Sequence, residues 1–202
     1  YDGEIAFMDD QIGRCVSWLE KNGLNNNTII VLIGDHGEGL GSHGEGTHGY
    51  FIYDYAAHVP LIITTPFQGL RGVRVPSQVR GVDVFPTILG LVGAERKATV
   101  HGRSLIPLMF KPKTKEEAPA YGESMAPNIQ FGWSPLQFLR TTQYKYINAP
   151  RAELYDISRD ADEQTNLFGD RPEVVRRMKA ELERVVSETE RGAPAPQAAN
   201  LD

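Results

Sequence analysis

The residues best suited to chemistry stand together in one glycine-rich segment, residues 34–49. Asp35 and His36 are adjacent there, and His43 and His48 follow within the same segment. A carboxylate and an imidazole both bind divalent cations, and a histidine ligand suits zinc or manganese better than calcium, which prefers oxygen. The glycines let the backbone turn sharply and approach a bound anion closely. The alternative interpretation is an aspartate that caps a helix, next to a surface histidine.

An apolar, β-branched run precedes this segment and predicts the strand that positions it. Residues 28–33 are bounded by asparagine and glycine, which is typical of a short strand buried on both faces. Asp35 and His36 then follow the carboxyl end of that strand, where open α/β sheets place their ligand sites. Residues 4–22 carry apolar side chains every three or four positions and predict an amphipathic helix. Helix, turn and parallel strand in this order are half of a crossover unit.

The pattern of the chain changes after the charged cluster at residues 111–117. Earlier, residues 59–66 predict a second core strand, and residues 50–57 and 82–92 predict short helices. Later come short strand-like segments separated by turns, which predict an antiparallel meander; they are residues 120–124, 137–141, 144–147 and 153–156. Residues 171–190 predict a second amphipathic helix, with Pro172 in its first turn.

These elements define the expected fold class and domains. We expect an α/β fold in which a partial α/β/α sandwich is followed by a small antiparallel sheet with a C-terminal helix. Residues 1–115 would form the sandwich part, and residues 116–191 a smaller α+β subdomain. Residues 192–202 are rich in alanine, proline and glutamine and predict a flexible tail.

Composition excludes some classes of partner. The net charge is −5 with both signs interspersed, and the absence of a basic stripe argues against nucleic acid. No apolar stretch reaches the ~18 residues that a membrane span needs. Cys15 is the single cysteine, so no internal disulfide can form. Its position on the apolar face of the first helix predicts a buried core thiol rather than a nucleophile.

Several short motifs occur in a recognisable order along the chain. They are Tyr-Asp-Gly-Glu-Ile at 1–5, Gly-Asp-His-Gly-Glu at 34–38, Thr-His-Gly at 47–49, Val-Pro-Leu-Ile-Ile at 59–63, Asp-Val-Phe-Pro-Thr-Ile-Leu at 83–89, Gly-Arg-Ser-Leu at 102–105, Lys-Tyr-Ile at 145–147, Glu-Leu-Tyr-Asp at 153–156 and Asp-Glu-Gln-Thr-Asn-Leu at 162–167. Together they resemble the C-terminal half of a sulfatase of the alkaline phosphatase superfamily. The resemblance extends from residue 1 to about residue 190.

The resemblance implies roles for the residues of the glycine-rich segment. Asp35 and His36 match positions that bind one divalent metal ion, which is calcium by family habit and manganese or zinc by the histidine ligand. His48 falls where many sulfatases carry a lysine that contacts the sulfate, so it is the candidate catalytic and substrate-binding residue. His43 is a second candidate for substrate binding or for support of the loop.

The family's nucleophile motif is absent from this sequence. Sulfatases use a cysteine or serine, converted to formylglycine, within Cys/Ser-x-Pro/Ala-x-Arg, and the residues after Cys15 do not match it. We therefore expect the chain to be part of a longer protein whose N-terminal half supplies the nucleophile, and to be inactive alone. Its partners would be that missing half and a small-molecule sulfate ester. A truncated sheet would leave an exposed edge that another chain can pair with. We therefore expect either the rest of the polypeptide or a second copy of this chain, in a homo-oligomer, to cover that edge.

Two other functions stay open at this point. Many sulfatases carry Asp-Asn where this chain has Asp35-His36, and the Asp-His form also occurs in relatives that hydrolyse phosphate or phosphonate esters. A fragment that kept the fold without the chemistry is the second alternative. The resemblance implies a periplasmic or extracellular location, while the residues themselves leave the cytoplasm open.

Overall fold

The computed structural model describes residues 1–67, 69–95, 100–114 and 118–190. The predicted tail and part of the charged cluster at 111–117 therefore lie outside the described residues. The helices and strands, in chain order, are α1 (Asp2–Lys21), β1 (Ile30–Ile33), α2 (Asp54–Ala57), β2 (Leu61–Thr64), α3 (Val84–Leu91), α4 (Ile106–Phe110), β3 (Ala120–Ser124), α5 (Ala126–Phe131), β4 (Leu136–Arg140), β5 (Tyr144–Asn148), β6 (Glu153–Asp156) and α6 (Pro172–Glu190). Within the described ranges, none of the helices combines the length and apolar character that a membrane crossing requires.

The chain divides into two compact units. The first contains Tyr1–Asp35 and Val59–Val73, and the second contains His36–His58 and the described residues from Arg74 onward. Asp35 is therefore the last residue of a first-unit segment, and His36 begins the second unit. The domain boundary near residue 115 stays a prediction.

The first unit consists of α1 and a two-stranded sheet. β1 and β2 pair antiparallel, with Leu32 opposite Ile62. The prediction of a parallel strand buried on both faces is wrong for β1. This strand is only half-buried, and its partner β2 runs in the opposite direction. α1 forms over nearly the predicted residues, but none of its side chains is buried.

Cys15 is exposed, so the predicted core thiol is wrong for this chain. The helical repeat of apolar residues correctly predicted α1, but a repeat of this kind does not say which surface covers the apolar face.

The second unit is built around the antiparallel meander that the sequence predicted. Strands β3 to β6 are neighbours in chain order, and each pair is antiparallel. α6 packs against this sheet, where Met178 and Leu182 join fully buried Leu139 and Leu154. A second apolar cluster contains Phe138, Ile147 and Tyr155 together with Ile52, which comes from the segment that follows the glycine-rich loop. This sheet therefore supports the loop that carries the candidate residues.

Candidate functional site

Asp35 and His36 lie at the expected end of β1. Backbone N–H of Gly34 donates to the carbonyl of Pro60 at 3.2 Å, which extends the β1–β2 pairing to the residue before Asp35. Both Asp35 and His36 are exposed. The chain therefore presents an adjacent carboxylate and imidazole directly after a strand, as the sequence predicted.

The ring of His36 is held in one orientation by its own backbone. Nδ1 lies 2.9 Å from the carbonyl oxygen of Gly37. Because a carbonyl can only accept, Nδ1 is the donor in this contact. A histidine that binds a metal through one nitrogen usually donates from the other nitrogen to a carbonyl or carboxylate. The donor chemistry of Asp35 and His36 therefore fits a divalent ion.

Asp35 and His36 alone are too few to form a metal site. Across the described ranges, no three or more histidine, cysteine, aspartate or glutamate side chains are grouped so that they could hold a metal ion. Asp35 and His36 would therefore be two ligands of a site that needs others.

The structure brings His48 to His36. The two imidazole rings stack with centroids 3.8 Å apart and planes 26° apart. Nδ1 of His48 lies 3.0 Å from Oε2 of Glu38, so a carboxylate fixes this ring as a carbonyl fixes that of His36. His48 is 42% exposed, which leaves part of its ring accessible to solvent.

The glycine-rich loop closes on itself to make this contact. Gly39 N–H donates to the carbonyl of Thr47 at 2.7 Å, and Gly41 N–H donates to that of Glu45 at 2.8 Å. A Cβ on Gly39 would lie 2.4 Å from the Glu45 carbonyl oxygen, closer than any real side chain allows. The loop thus depends on a glycine at this position to return His48 to Glu38.

Buried Glu45 is a structural residue of the loop that sequence reasoning missed. Its side chain accepts the N–H of Tyr50 at 2.8 Å and the hydroxyl of Tyr55 at 2.6 Å. Burial, with the hydrogen bond to Glu45, raises the pKa of the Tyr55 hydroxyl, which therefore stays a donor. The sequence offered one signal for this role, a glutamate between two glycines. The groups that Glu45 binds lie five and ten residues further along the chain, beyond the glycine-rich segment.

His43 does not join His36 and His48. Its ring stacks on Tyr53 at 3.7 Å between centroids, and Nε2 lies 3.0 Å from the carbonyl oxygen of Asp162. The backbone of His43 is left-handed, with φ of 50°. These contacts anchor the loop to the segment after β6, and the predicted contact between His43 and substrate stays a prediction.

A cluster of buried charges fixes the end of the same segment. Nζ of Lys145 is fully buried and lies 2.9 Å from Asp54 Oδ1 and 3.0 Å from Glu163 Oε1. The guanidinium of Arg140 lies 2.9 Å from Asp54. Glu163, 2% exposed, also accepts the backbone N–H of Asp54. We refer to Asp54, Arg140, Lys145 and Glu163 as the buried charge cluster.

The two carboxylates of this cluster differ in their pKa. Burial alone would raise the pKa of Asp54, but Lys145 and Arg140 lower it below its usual value. Burial raises the pKa of Glu163 above its usual value, and Lys145 only partly offsets this. Asp54 is therefore the stronger acid of the two carboxyl groups.

Comparisons with known proteins agree with the resemblance. A family model described as Sulfatase matches residues 1–94, which include the whole glycine-rich loop. Arylsulfatase K of Xenopus laevis is 29% identical over 92% of this chain and 36% of its own length. N-acetylglucosamine-6-O-sulfatase of Bacteroides thetaiotaomicron is 30% identical over 95% of this chain and 35% of its own length.

The fold is also found among solved structures. The crystal structure of the phosphonate monoester hydrolase of Agrobacterium radiobacter matches with a TM-score of 0.77 and 25% identity, over 91% of this chain and 40% of that one. The chain is therefore similar to the C-terminal portion of sulfatases, and its residues 1–94 match the sulfatase family model. The expected fold class is confirmed. The chain spans about a third of the length of the curated relatives that it matches.

We predict that Gly39→Ala opens the loop, because the new Cβ would displace the carbonyls of Glu45 and Thr47. The free energy of unfolding should fall by about 1–3 kcal/mol, as for other overpacked sites. Urea unfolding followed by circular dichroism measures this. Gly46→Ala is the matched control, since nothing lies within 4 Å of its Cβ position. Equal stability of the two variants would contradict the predicted closure.

We predict that the stability difference between wild type and Glu163→Gln depends on pH. A carboxyl with a raised folded-state pKa favours folding most below its unfolded-state pKa and loses that contribution as pH rises through the folded-state pKa. The unfolding free energy of wild type minus that of the variant should therefore fall above about pH 4.5. Urea unfolding between about pH 4 and pH 8 measures it, with Glu20→Gln as an exposed-carboxylate control. A difference that grows with pH would show that the pKa shift has the opposite sign.

Proposed function

We propose that the chain supplies one side of the active site of a metal-dependent sulfuric ester hydrolase. Asp35 and His36 would bind the metal, and His48 would contact the sulfate group. The observation that carries this proposal is the 2.9 Å contact between Nδ1 of His36 and the carbonyl oxygen of Gly37, which orients the ring in the way that metal-binding histidines commonly are. The match of this loop to the sulfatase family model supports the reaction class.

The bound metal would neutralise charge on the ester oxygens and hold the nucleophile deprotonated. The carboxylate of Asp35 would supply negative charge and an oxygen ligand, and His36 a neutral nitrogen. Glu38 would keep the His48 ring in place in either protonation state, since it accepts from Nδ1. In the protonated form, Nε2–H of His48 would donate to an oxygen of the transferring group as its charge increases.

The nucleophile would come from outside these 202 residues, because the sequence contains no Cys/Ser-x-Pro/Ala-x-Arg motif. Cys15 is exposed on α1, and it lacks the motif that the family converts to formylglycine. We therefore propose that the chain acts only together with the remainder of a sulfatase polypeptide.

Hydrolysis of a phosphate or phosphonate ester is the second candidate. Two observations favour it: the Asp35-His36 pair, which such relatives also carry, and the similarity to a phosphonate monoester hydrolase. The chemistry of the site residues fits both, since a sulfate and a phosphonate monoester each present anionic oxygens to a metal and a histidine. A histidine ligand such as His36 suits manganese or zinc better than calcium. The family resemblance, in contrast, points to calcium.

The test combines metal content with turnover in the intact protein. We expect Asp35→Asn and His36→Gln to weaken metal binding by more than about tenfold and to abolish hydrolysis of 4-nitrophenyl sulfate. Metal content is measured by inductively coupled plasma mass spectrometry after dialysis. His101→Gln, which alters an exposed histidine in another loop, is the matched control and should keep both properties.

The substrate class is decided by the same assay with three esters. Turnover of 4-nitrophenyl sulfate above that of 4-nitrophenyl phosphate and 4-nitrophenyl phenylphosphonate supports the sulfatase, and the reverse order supports the second candidate. Unchanged metal content and turnover in both variants would overturn the assignment of Asp35 and His36.

A further inference from the structure

Two stretches of strained backbone meet where the glycine-rich loop contacts the segment after β6. Among the described residues, the non-glycine residues with a left-handed backbone are Leu40, His43 and Glu163, with φ of 50°, 50° and 54°. Nε2 of His43 lies 3.0 Å from the carbonyl oxygen of Asp162, the residue before Glu163. A left-handed backbone is unfavourable for a residue with a Cβ, so it persists only where surrounding contacts fix it, and it is common at functional sites. The contact between His43 and Asp162 is therefore a candidate for a functional role.

The turn at residues 160–165, which we call the anchor turn, is fixed by its own side chains. The carboxylate of Asp160 accepts the backbone N–H of Gln164 at 3.0 Å and that of Thr165 at 2.8 Å. Glu163 is 2% exposed, and its carboxylate lies in the buried charge cluster, where it accepts the backbone N–H at the start of α2 at 2.5 Å. The carbonyl that faces the glycine-rich loop is therefore held in one position.

The glycine-rich loop transmits the position of His43 to His48. His43 lies in the middle of the tip of the loop, and its ring stacks on Tyr53 with centroids 3.7 Å apart. Behind the tip, two backbone hydrogen bonds close the loop, and the one from Gly39 to Thr47 is adjacent to His48 in sequence. A displacement of the tip would therefore move the His48 ring.

We propose that the anchor turn positions His48, and that His43 is the positioning residue through which it acts. This inference rests on the proposed function, because His48 is the group that would contact the sulfate. Because a carbonyl can only accept, Nε2 of His43 is the donor to Asp162 and is already engaged. The proposal thus assigns His43 to support of the loop, and it gives a role to the motif at 162–167.

The test is a double-mutant cycle in the intact protein, with His43→Phe and His48→Ala. Phenylalanine keeps a ring that can stack on Tyr53, but it lacks the donor to the Asp162 carbonyl. We expect His43→Phe to lower kcat for 4-nitrophenyl sulfate by roughly tenfold and to change KM by less than about twofold, because it misplaces a group that acts in the transition state. In the His48→Ala background it should lower the residual kcat by less than about twofold, since a residue that acts through His48 has no effect once that side chain is gone.

A second variant loosens the anchor turn and leaves His43 unchanged. Asp160→Ala removes the acceptor of two backbone N–H groups, and we expect the same loss of kcat. Asp160→Asn keeps an acceptor oxygen and should restore most of the rate. His58→Phe, at an exposed histidine of the same segment, is the matched control and should keep the wild-type rate.

The position of the His48 ring is also measured without any ester. Its Cε1–H signal, recorded by proton–carbon NMR of histidine-labelled intact protein and assigned with His48→Ala, reports the stacking on His36. The signal should shift in His43→Phe and in Asp160→Ala, but not in His58→Phe. If wild type hydrolyses no ester, this shift still supports the positioning role while the proposed function fails.

Three results would overturn the positioning role and leave the hydrolase in place. An unshifted His48 signal would show that the anchor turn does not set the position of this ring. Equal loss of kcat in both backgrounds would show that His43 acts independently of His48. A raised KM with unchanged kcat would show that His43 contacts the substrate itself.

Discussion

The second unit depends on a buried lysine, Lys145, that lies between buried Glu163 and partly buried Asp54. Lys145 has no exposed surface, and the carboxylates of Asp54 and Glu163, together with the ring of Phe138, offset the cost of removing its charge from water. Asp54 begins α2, Lys145 lies in the middle of the meander, and Glu163 follows β6. Removal of one partner would leave a buried charge uncompensated, so the three segments must come together for this unit to fold.

The candidate site follows from that constraint. The segment between His36 and Asp54 is held at its far end by the buried charge cluster, in its middle by buried Glu45, and at His43 by the carbonyl of Asp162. Its near end continues from β1. A loop fixed at these points has little freedom, and the hydrogen bond from Gly39 to Thr47 then determines where His48 lies. The contact between Nδ1 of His36 and the carbonyl of Gly37 then orients the second imidazole of the stacked pair.

Local patterns predicted the elements well, because their signals lie within a few residues. The short segments of β4 to β6, separated by turns, and the helical repeat of α6 came directly from the sequence, and the adjacency of Asp35 and His36 was enough to identify the candidate metal ligands. The buried charge cluster was not predicted. Asp54, Lys145 and Glu163 resemble ordinary surface residues in sequence, and their partners are about a hundred residues apart. The predictions of a buried thiol on α1 and of a parallel strand at β1 failed for a similar reason. Periodicity identifies an apolar face, but it does not identify the element that packs against that face.

Anomalous X-ray diffraction from crystals of the intact protein, recorded at the manganese and zinc edges, tests the central claim most directly. The account predicts one anomalous peak bonded to both the carboxylate of Asp35 and Nε2 of His36, with His48 stacked on the His36 ring. A metal bound elsewhere, or one that contacts neither side chain, would contradict it.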